Sequence, residues 1–342
     1  MPGTWHLPMF RRGAGGPGLS AGRRRLAVAL LIVTCLAVAV PGTIGAVRYA
    51  VTFWLYRGFP APVAPQSVSK EGSGGTTVRV KVVPAAEQTI DVVSPALGGY
   101  RDKVDIVLPP GYASQPARRY PALYLLHGVP GAPSNFLTIG GIAADEATLV
   151  AEGRMQPLIL VMPTGSRSFL ADEEWANGVH TGNAWETFVA RDLVQAIDAH
   201  YRTIAAGAGR GLAGLSEGGY GALNIGLHHP GEFGLLESWS GYMMADDIPA
   251  IFGRSRALLS YNSPADEVFT VAPRLIAANT YIWFYCGKSD ELADQNRNFD
   301  AELTSLGIAH HFFEWTGTHN WALWRTLMPQ ALITASEHLR HG

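Results

Sequence analysis

From about residue 78 onward, short apolar runs alternate with stretches in which apolar side chains recur every three or four positions. That alternation predicts an α/β fold with a mainly parallel sheet. Early strands are expected at 78–83, 89–93 and 104–108, the last closed by the turn signal Pro109-Pro110-Gly111. The runs at 122–126 and 158–162 are apolar at every position, which marks central strands covered on both faces. Further strands are expected at 210–215, 235–240, 280–286 and 311–315. Helical spacing occupies 186–200, 219–228, 292–305 and 321–339, with Phe188, Leu193 and Ile197 on one face of the first.

Ahead of this pattern, residues 26–47 form a run of 22 without a charge, enough at about 1.5 Å per residue to cross a hydrocarbon core of roughly 30 Å. Five arginines precede it (Arg11, Arg12, Arg23, Arg24, Arg25). Positive charge is retained in the cytoplasm, so the reading is a cytoplasmic basic tail (1–25), a transmembrane signal anchor (26–47), a juxtamembrane segment and flexible linker (48–77) and an extracytoplasmic domain (78–342). The linker is rich in Pro, Gly and Ser, and Tyr49, Phe53, Trp54 and Tyr56 read as an interfacial aromatic belt. The competing reading is a signal peptide cleaved after Ala37-Val38-Ala39, giving a secreted protein. Both readings export the domain.

Composition narrows the classes. Residues 1–57 carry seven arginines and no acid, leaving 19 basic and 28 acidic groups in the other 285 residues. An acidic domain of this kind argues against a nucleic-acid partner. Cys35 and Cys286 are the only cysteines, both in apolar contexts. They exclude a disulfide framework and a cysteine-built zinc site.

The chemistry is carried by Gly214-Leu215-Ser216-Glu217-Gly218, a G-x-S-x-G string with an apolar strand running in and a Gly/Ala-rich helix running out. Such an elbow holds a serine in a strained turn, and its glycines stand where a Cβ would collide with neighbouring backbone. A serine hydroxyl needs a histidine to accept its proton and a carboxylate to fix the tautomer of that histidine. His319 is the candidate base, in the loop after the last strand; His310 and His311 fall on that strand, and His127 shapes a loop after a central one. Asp290 is the candidate acid, just past a strongly apolar strand. Glu291 and Asp294 lie close enough to substitute, Asp300 lies farther along the helix, and a helix N-cap is the alternative role for Asp290. The oxyanion would be bound by the backbone N–H groups of Val129 and Glu217, Pro130 having none to offer. Residues 242–278 are long for one connection and are expected to cover the site. Tyr242, Met243 and Met244 are candidates for an acyl pocket or for core, and Trp321 and Trp324 for packing the last helix.

The chain resembles the putative-esterase family of α/β-hydrolases, which includes S-formylglutathione hydrolases, feruloyl and siderophore esterases and mycolyltransferases. The markers are LPPGY (108–112), YPALYLLHG (120–128), VMP (161–163), WETFVARDL (185–193), GLSEGGYGAL (214–223), WSG (239–241), GKSD (287–290) and THNWALW (318–324). The resemblance implies an α/β-hydrolase fold with Ser216 as nucleophile, His319 as base, Asp290 as acid and the Val129 and Glu217 amides as oxyanion donors. One departure stands out: the family usually carries an apolar residue, often Met, where this chain has Glu217. The expected activity is cleavage of small-molecule, lipid or glycan esters through an acyl-enzyme, with no metal or cofactor. The alternatives are transfer of the acyl group to a sugar or lipid hydroxyl, and a non-catalytic binding protein.

Overall fold

The computed structural model describes residues 63–71, 77–167, 173–245 and 248–342. The basic tail, the apolar span at 26–47 and the first part of the linker lie outside the described residues. Among the described residues no helix is long and apolar enough to cross a membrane.

Within the stretch expected as linker, Ser67–Glu71 is a strand, β1, paired antiparallel with β2 at Thr77–Lys81, Ser67 opposite Lys81. Local alternation identified β2 as a strand but not its partner. It belongs to this separate ribbon rather than to the main sheet.

The main sheet has eight strands. β3 (Ala86–Ser94) and β4 (Tyr100–Leu108) form an antiparallel pair at one edge, and β4 runs antiparallel to β6 (Ile159–Met162). From β6 onward every pairing is parallel, through β5 (Ala122–Leu126), β7 (Arg210–Leu215), β8 (Leu235–Trp239) and β9 (Tyr281–Gly287) to β10 (His310–Trp315). Strands β5 to β8 are buried at every position because helices cover both faces.

Alternate side chains sort the core into two layers. Tyr124 and Leu126 point to the layer built by α2 (residues 185–200), α3 (Glu217–His228), α6 (Pro264–Ala278) and α7 (Ala293–Leu306). Leu123 and Leu125 point to the layer built by α1 (Ile142–Glu152) and α8 (Trp321–His338). Phe188, Leu193 and Ile197 are all buried in the first layer, as the spacing predicts. Trp321 and Trp324 pack in the second, edge to face with ring centroids 5.6 Å apart. The connection at 242–278 carries α6 and two shorter helices, α4 (Pro249–Phe252) and α5 (Arg256–Tyr261).

Helix α1 has no counterpart in the sequence reading, and the reason is physical. Its inward face includes Glu146, a charged residue that is fully buried and accepts a hydrogen bond from the Leu158 amide at 2.9 Å. Burial pushes that carboxyl up to about 8 against the effect of the hydrogen bond, so it sits in the core as a neutral acid at neutral pH. A hydropathy pattern counts it as polar and loses the helical stripe.

Candidate active site

The parallel strands deliver the candidate residues to their C-terminal ends, where an α/β sheet collects functional groups. β7 ends at Leu215 and α3 begins at Glu217, so Ser216 occupies the whole turn between them. Its backbone is at φ 56°, ψ −123°, a conformation that L residues rarely adopt. The turn is held from both sides: the Ser216 amide donates to the Trp239 carbonyl on β8 at 2.9 Å, and the amides of Gly219 and Tyr220 donate to the Ser216 carbonyl.

Glycine is required at two positions around this turn. A Cβ on Gly214 would lie 2.2 Å from the Gly218 carbonyl oxygen, and one on Gly218 would lie 2.0 Å from that of Leu126. Both obstacles are backbone, so no rotamer change relieves them. Gly218→Ala is expected to cost about 3 kcal/mol, read as a lower urea midpoint at unchanged slope.

Asp290 follows β9, and its amide donates to the Gly287 carbonyl at 3.0 Å. His319 lies between β10 and α8, its ring edge-on to Trp324 at 5.1 Å. The structure brings the three side chains into one hydrogen-bonded series. The Ser216 hydroxyl is 2.8 Å from His319 Nε2, and His319 Nδ1 is 3.0 Å from Asp290 Oδ2.

The other oxygen of Asp290, Oδ1, accepts the Leu292 amide at 3.1 Å, so the side chain also fixes the turn into α7. It is fully buried. Burial pushes its carboxyl up, but the hydrogen bond and charge of His319, with the Leu292 amide, outweigh this and hold it below the ordinary carboxylate range. The other acids go elsewhere. Glu291 is exposed, Asp294 pairs with Arg297, and Asp300 lies 3.1 Å from His310 Nε2.

The loop after β5 runs directly past the serine. A Cβ on Gly128 would lie 2.9 Å from the Ser216 Cβ, which places Val129, the next residue, at the rim of the site. The ring of His127 is buried with Nδ1 2.9 Å from the Gly128 carbonyl and Nε2 2.5 Å from that of Thr164. Burial lowers its pKa while those carbonyls pull it back up. Glu217 is the first residue of α3, within the turn whose amides have no acceptor inside the helix.

Two residues of this environment were not singled out in the sequence. Trp175 is buried and its indole donates to the His127 carbonyl at 2.9 Å, bracing the loop from outside. Glu174, beside it, accepts from the Tyr242 hydroxyl. Their signal was faint, an aromatic and an acid in a stretch without periodicity. Met243 is buried in the first core layer and Met244 is half exposed. Among the described residues no group of three His, Cys, Asp or Glu side chains is arranged to hold a metal ion.

A family model described as "Putative esterase" matches residues 94–335. An esterase of Mycobacterium tuberculosis is 27% identical over 249 residues, covering 65% of this chain and 53% of its own. A diacylglycerol acyltransferase/mycolyltransferase of Mycolicibacterium smegmatis is 28% identical over 212 residues, covering 49% of this chain and 63% of its own. The alignment thus spans about half the length of the esterase relative. Among solved structures, a ferulic acid esterase superposes with a TM-score of 0.67 at 24% identity, over 75% of this chain and 100% of that one. At that identity the likeness shows a shared α/β-hydrolase-like fold.

Proposed function

Because this chain belongs to the Esterase family, we propose that it is a serine hydrolase that cleaves carboxylic esters through an acyl-enzyme on Ser216. One observation carries the reading: Ser216, held in a strained turn, is hydrogen bonded to His319, and His319 to the buried Asp290. His319 Nε2 takes the serine proton as Oγ attacks the ester carbonyl, then returns it to the leaving alcohol. Asp290 keeps the Nδ1–H tautomer in place. The amides of Val129 and Glu217 bind the oxyanion. In this proposal residues 26–47 anchor the chain in the cell membrane with the catalytic domain outside, beside lipid and glycan esters.

A second reading follows from the mycolyltransferase relative. The same acyl-enzyme passes its acyl group to a sugar or diacylglycerol hydroxyl when an acceptor displaces water.

The test is a stopped-flow burst assay on the full-length chain with p-nitrophenyl esters of increasing acyl length. A burst equal to the enzyme concentration, with free acid as product, is expected for an esterase. An acylated sugar or diacylglycerol, formed at the expense of free acid, moves the assignment to acyl transfer. Turnover without a covalent acyl adduct on Ser216 overturns both, and binding without turnover points to a non-catalytic protein.

A further inference from the structure

β10 is an edge strand with a sequence that does not suit an edge. Five of its six residues carry rings, and none of the six is fully buried, whereas every position of β5 to β8 is. Edge strands ordinarily expose charge rather than aromatic surface. On the face that carries the α1 and α8 layer, His311, Phe313 and Trp315 of β10 stand beside Tyr281 and Trp283 of β9, His311 opposite Trp283. Trp315 is opposite Gly287, which offers it no side chain, and it is left 47% exposed.

These rings form one wall of a cleft of about 530 Å³, and α8 forms the other. Thr326, Gln330, Thr334 and Glu337 follow one another at intervals of four, four and three, which puts them on one face of the helix, and all four line the cleft. Gln330 and Glu337 are exposed and make no hydrogen bond to the described residues. The Thr326 hydroxyl donates to the Ala322 carbonyl at 2.7 Å and keeps its capacity to accept. At the end where β9 begins, the rings of Tyr281 and His338 stack with centroids 3.8 Å apart. At the other end the Trp315 carbonyl accepts the Lys288 amide at 2.8 Å, which ties this wall to the turn that carries Asp290. None of Ser216, His319 and Asp290 lines the cleft.

We propose that this cleft is a binding site for a neutral oligosaccharide, separate from the site at Ser216. Its volume is that of a small-molecule site, and from His311 to Trp315 it runs about 13 Å at about 3.3 Å per residue, an elongated shape. Arg154 and Glu337 are the only Arg, Lys, Asp or Glu side chains that line it, one of each sign, so its charge selects neither an anion nor a cation. The two walls ask for different surfaces. A hydrocarbon chain satisfies the rings but leaves Gln330, Thr326 and Glu337 against apolar atoms, which is costly. A pyranose satisfies both, because its C–H face lies on the electron-rich faces of the rings while its hydroxyl edge meets the polar stripe of α8.

The experiment titrates cellohexaose, xylohexaose and maltohexaose into the full-length chain by isothermal titration calorimetry, in lauryldimethylamine oxide, a detergent without a sugar headgroup. Wild type, Trp315→Ala, Gln330→Ala and Ser216→Ala are compared. Saturable binding of at least one hexasaccharide is expected, weakened about tenfold in Trp315→Ala, the scale of one aromatic contact, and about fivefold in Gln330→Ala, the scale of one hydrogen bond. Both side chains are exposed, so the variants are expected to keep the urea midpoint of wild type. Ser216→Ala is expected to bind as wild type does. No saturable binding of any of the three sugars overturns the proposal, as does an affinity unchanged in both cleft variants or abolished in Ser216→Ala, which puts the sugar elsewhere. Saturable binding of dodecanoate in place of the sugars, or a dimer in sedimentation velocity that Trp315→Ala abolishes and no sugar disturbs, assigns the cleft to a lipid or to a second copy and also overturns it. The cleft does not depend on the serine mechanism: turnover that survives in Ser216→Ala overturns that mechanism and leaves the sugar titration to be read as before.

Discussion

Ser216→Ala is expected to lower kcat by about a millionfold while leaving KM within a few-fold of wild type. The substitution removes only the hydroxyl that donates to His319 Nε2 at 2.8 Å. Alanine retains the Cβ, so it inherits the same backbone at φ 56° and the same contacts with Gly128. The fold and the oxyanion amides therefore persist, and the residual rate reports what those amides do without a nucleophile. A companion variant separates chemistry from strain. Ser216→Gly loses the hydroxyl and the Cβ together, and glycine occupies this region of backbone space without steric cost. It is expected to be as inactive as the alanine variant and more stable than it by about 1 kcal/mol, the scale of strain at such a backbone position. Single-turnover kinetics measure the first effect and urea denaturation the second. Equal stabilities for the two variants would remove the case for strain at the elbow.

The parts of this molecule legible in the sequence are those specified by neighbours along the chain. β5 begins and ends where its apolar run does, because a strand covered on both faces leaves nothing polar to blur the edges. Ser216 was legible for the same local reason, since a strained turn needs glycines at fixed offsets, and Gly214 and Gly218 meet backbone at about 2 Å. Spacing along the chain does not by itself separate Asp290 from Asp294 as the acid. Helical spacing does not reveal that Arg297 reaches back to Asp294 or that Oδ1 of Asp290 closes the turn before α7.

What was hidden depended on contacts far apart in sequence. α6 runs unbroken through Pro273, a residue that reads as a helix breaker, and Val268, Val271, Ala272 and Leu275 form its buried face. Hydropathy alone marked 242–278 only as a long connection. Glu174 and Trp175 acquire meaning only once α3 and the loop after β5 close on them. β1 forms where Pro, Gly and Ser predicted a tether, because β2 offers its residues a partner.

Asp290→Asn is expected to reduce kcat by about ten-thousandfold with little change in KM, and the hydrogen bonds say why so small a change has so large an effect. Oδ1 accepts the Leu292 amide at 3.1 Å, and only an oxygen can take that position. In the variant, the single amide oxygen is committed there, which turns the NH2 group toward His319 Nδ1. A nitrogen facing a donor must accept, so His319 adopts the tautomer with its proton on Nε2 and cannot take the proton of Ser216. The side chain is fully buried, so water does not relieve the mismatch, and the alternative flip leaves the NH2 group against the Leu292 amide. The first orientation keeps both contacts of the side chain and the turn that positions it, in the wrong tautomer of His319, whereas the flip loses the bond from Leu292. The measurement is kcat and KM side by side with Glu291→Gln, a neighbour exposed to solvent and bonded to none of the three side chains. That control is expected within twofold of wild type. If Asp290→Asn were equally mild, the carboxylate would be a turn-former and the general base would be oriented by some other group.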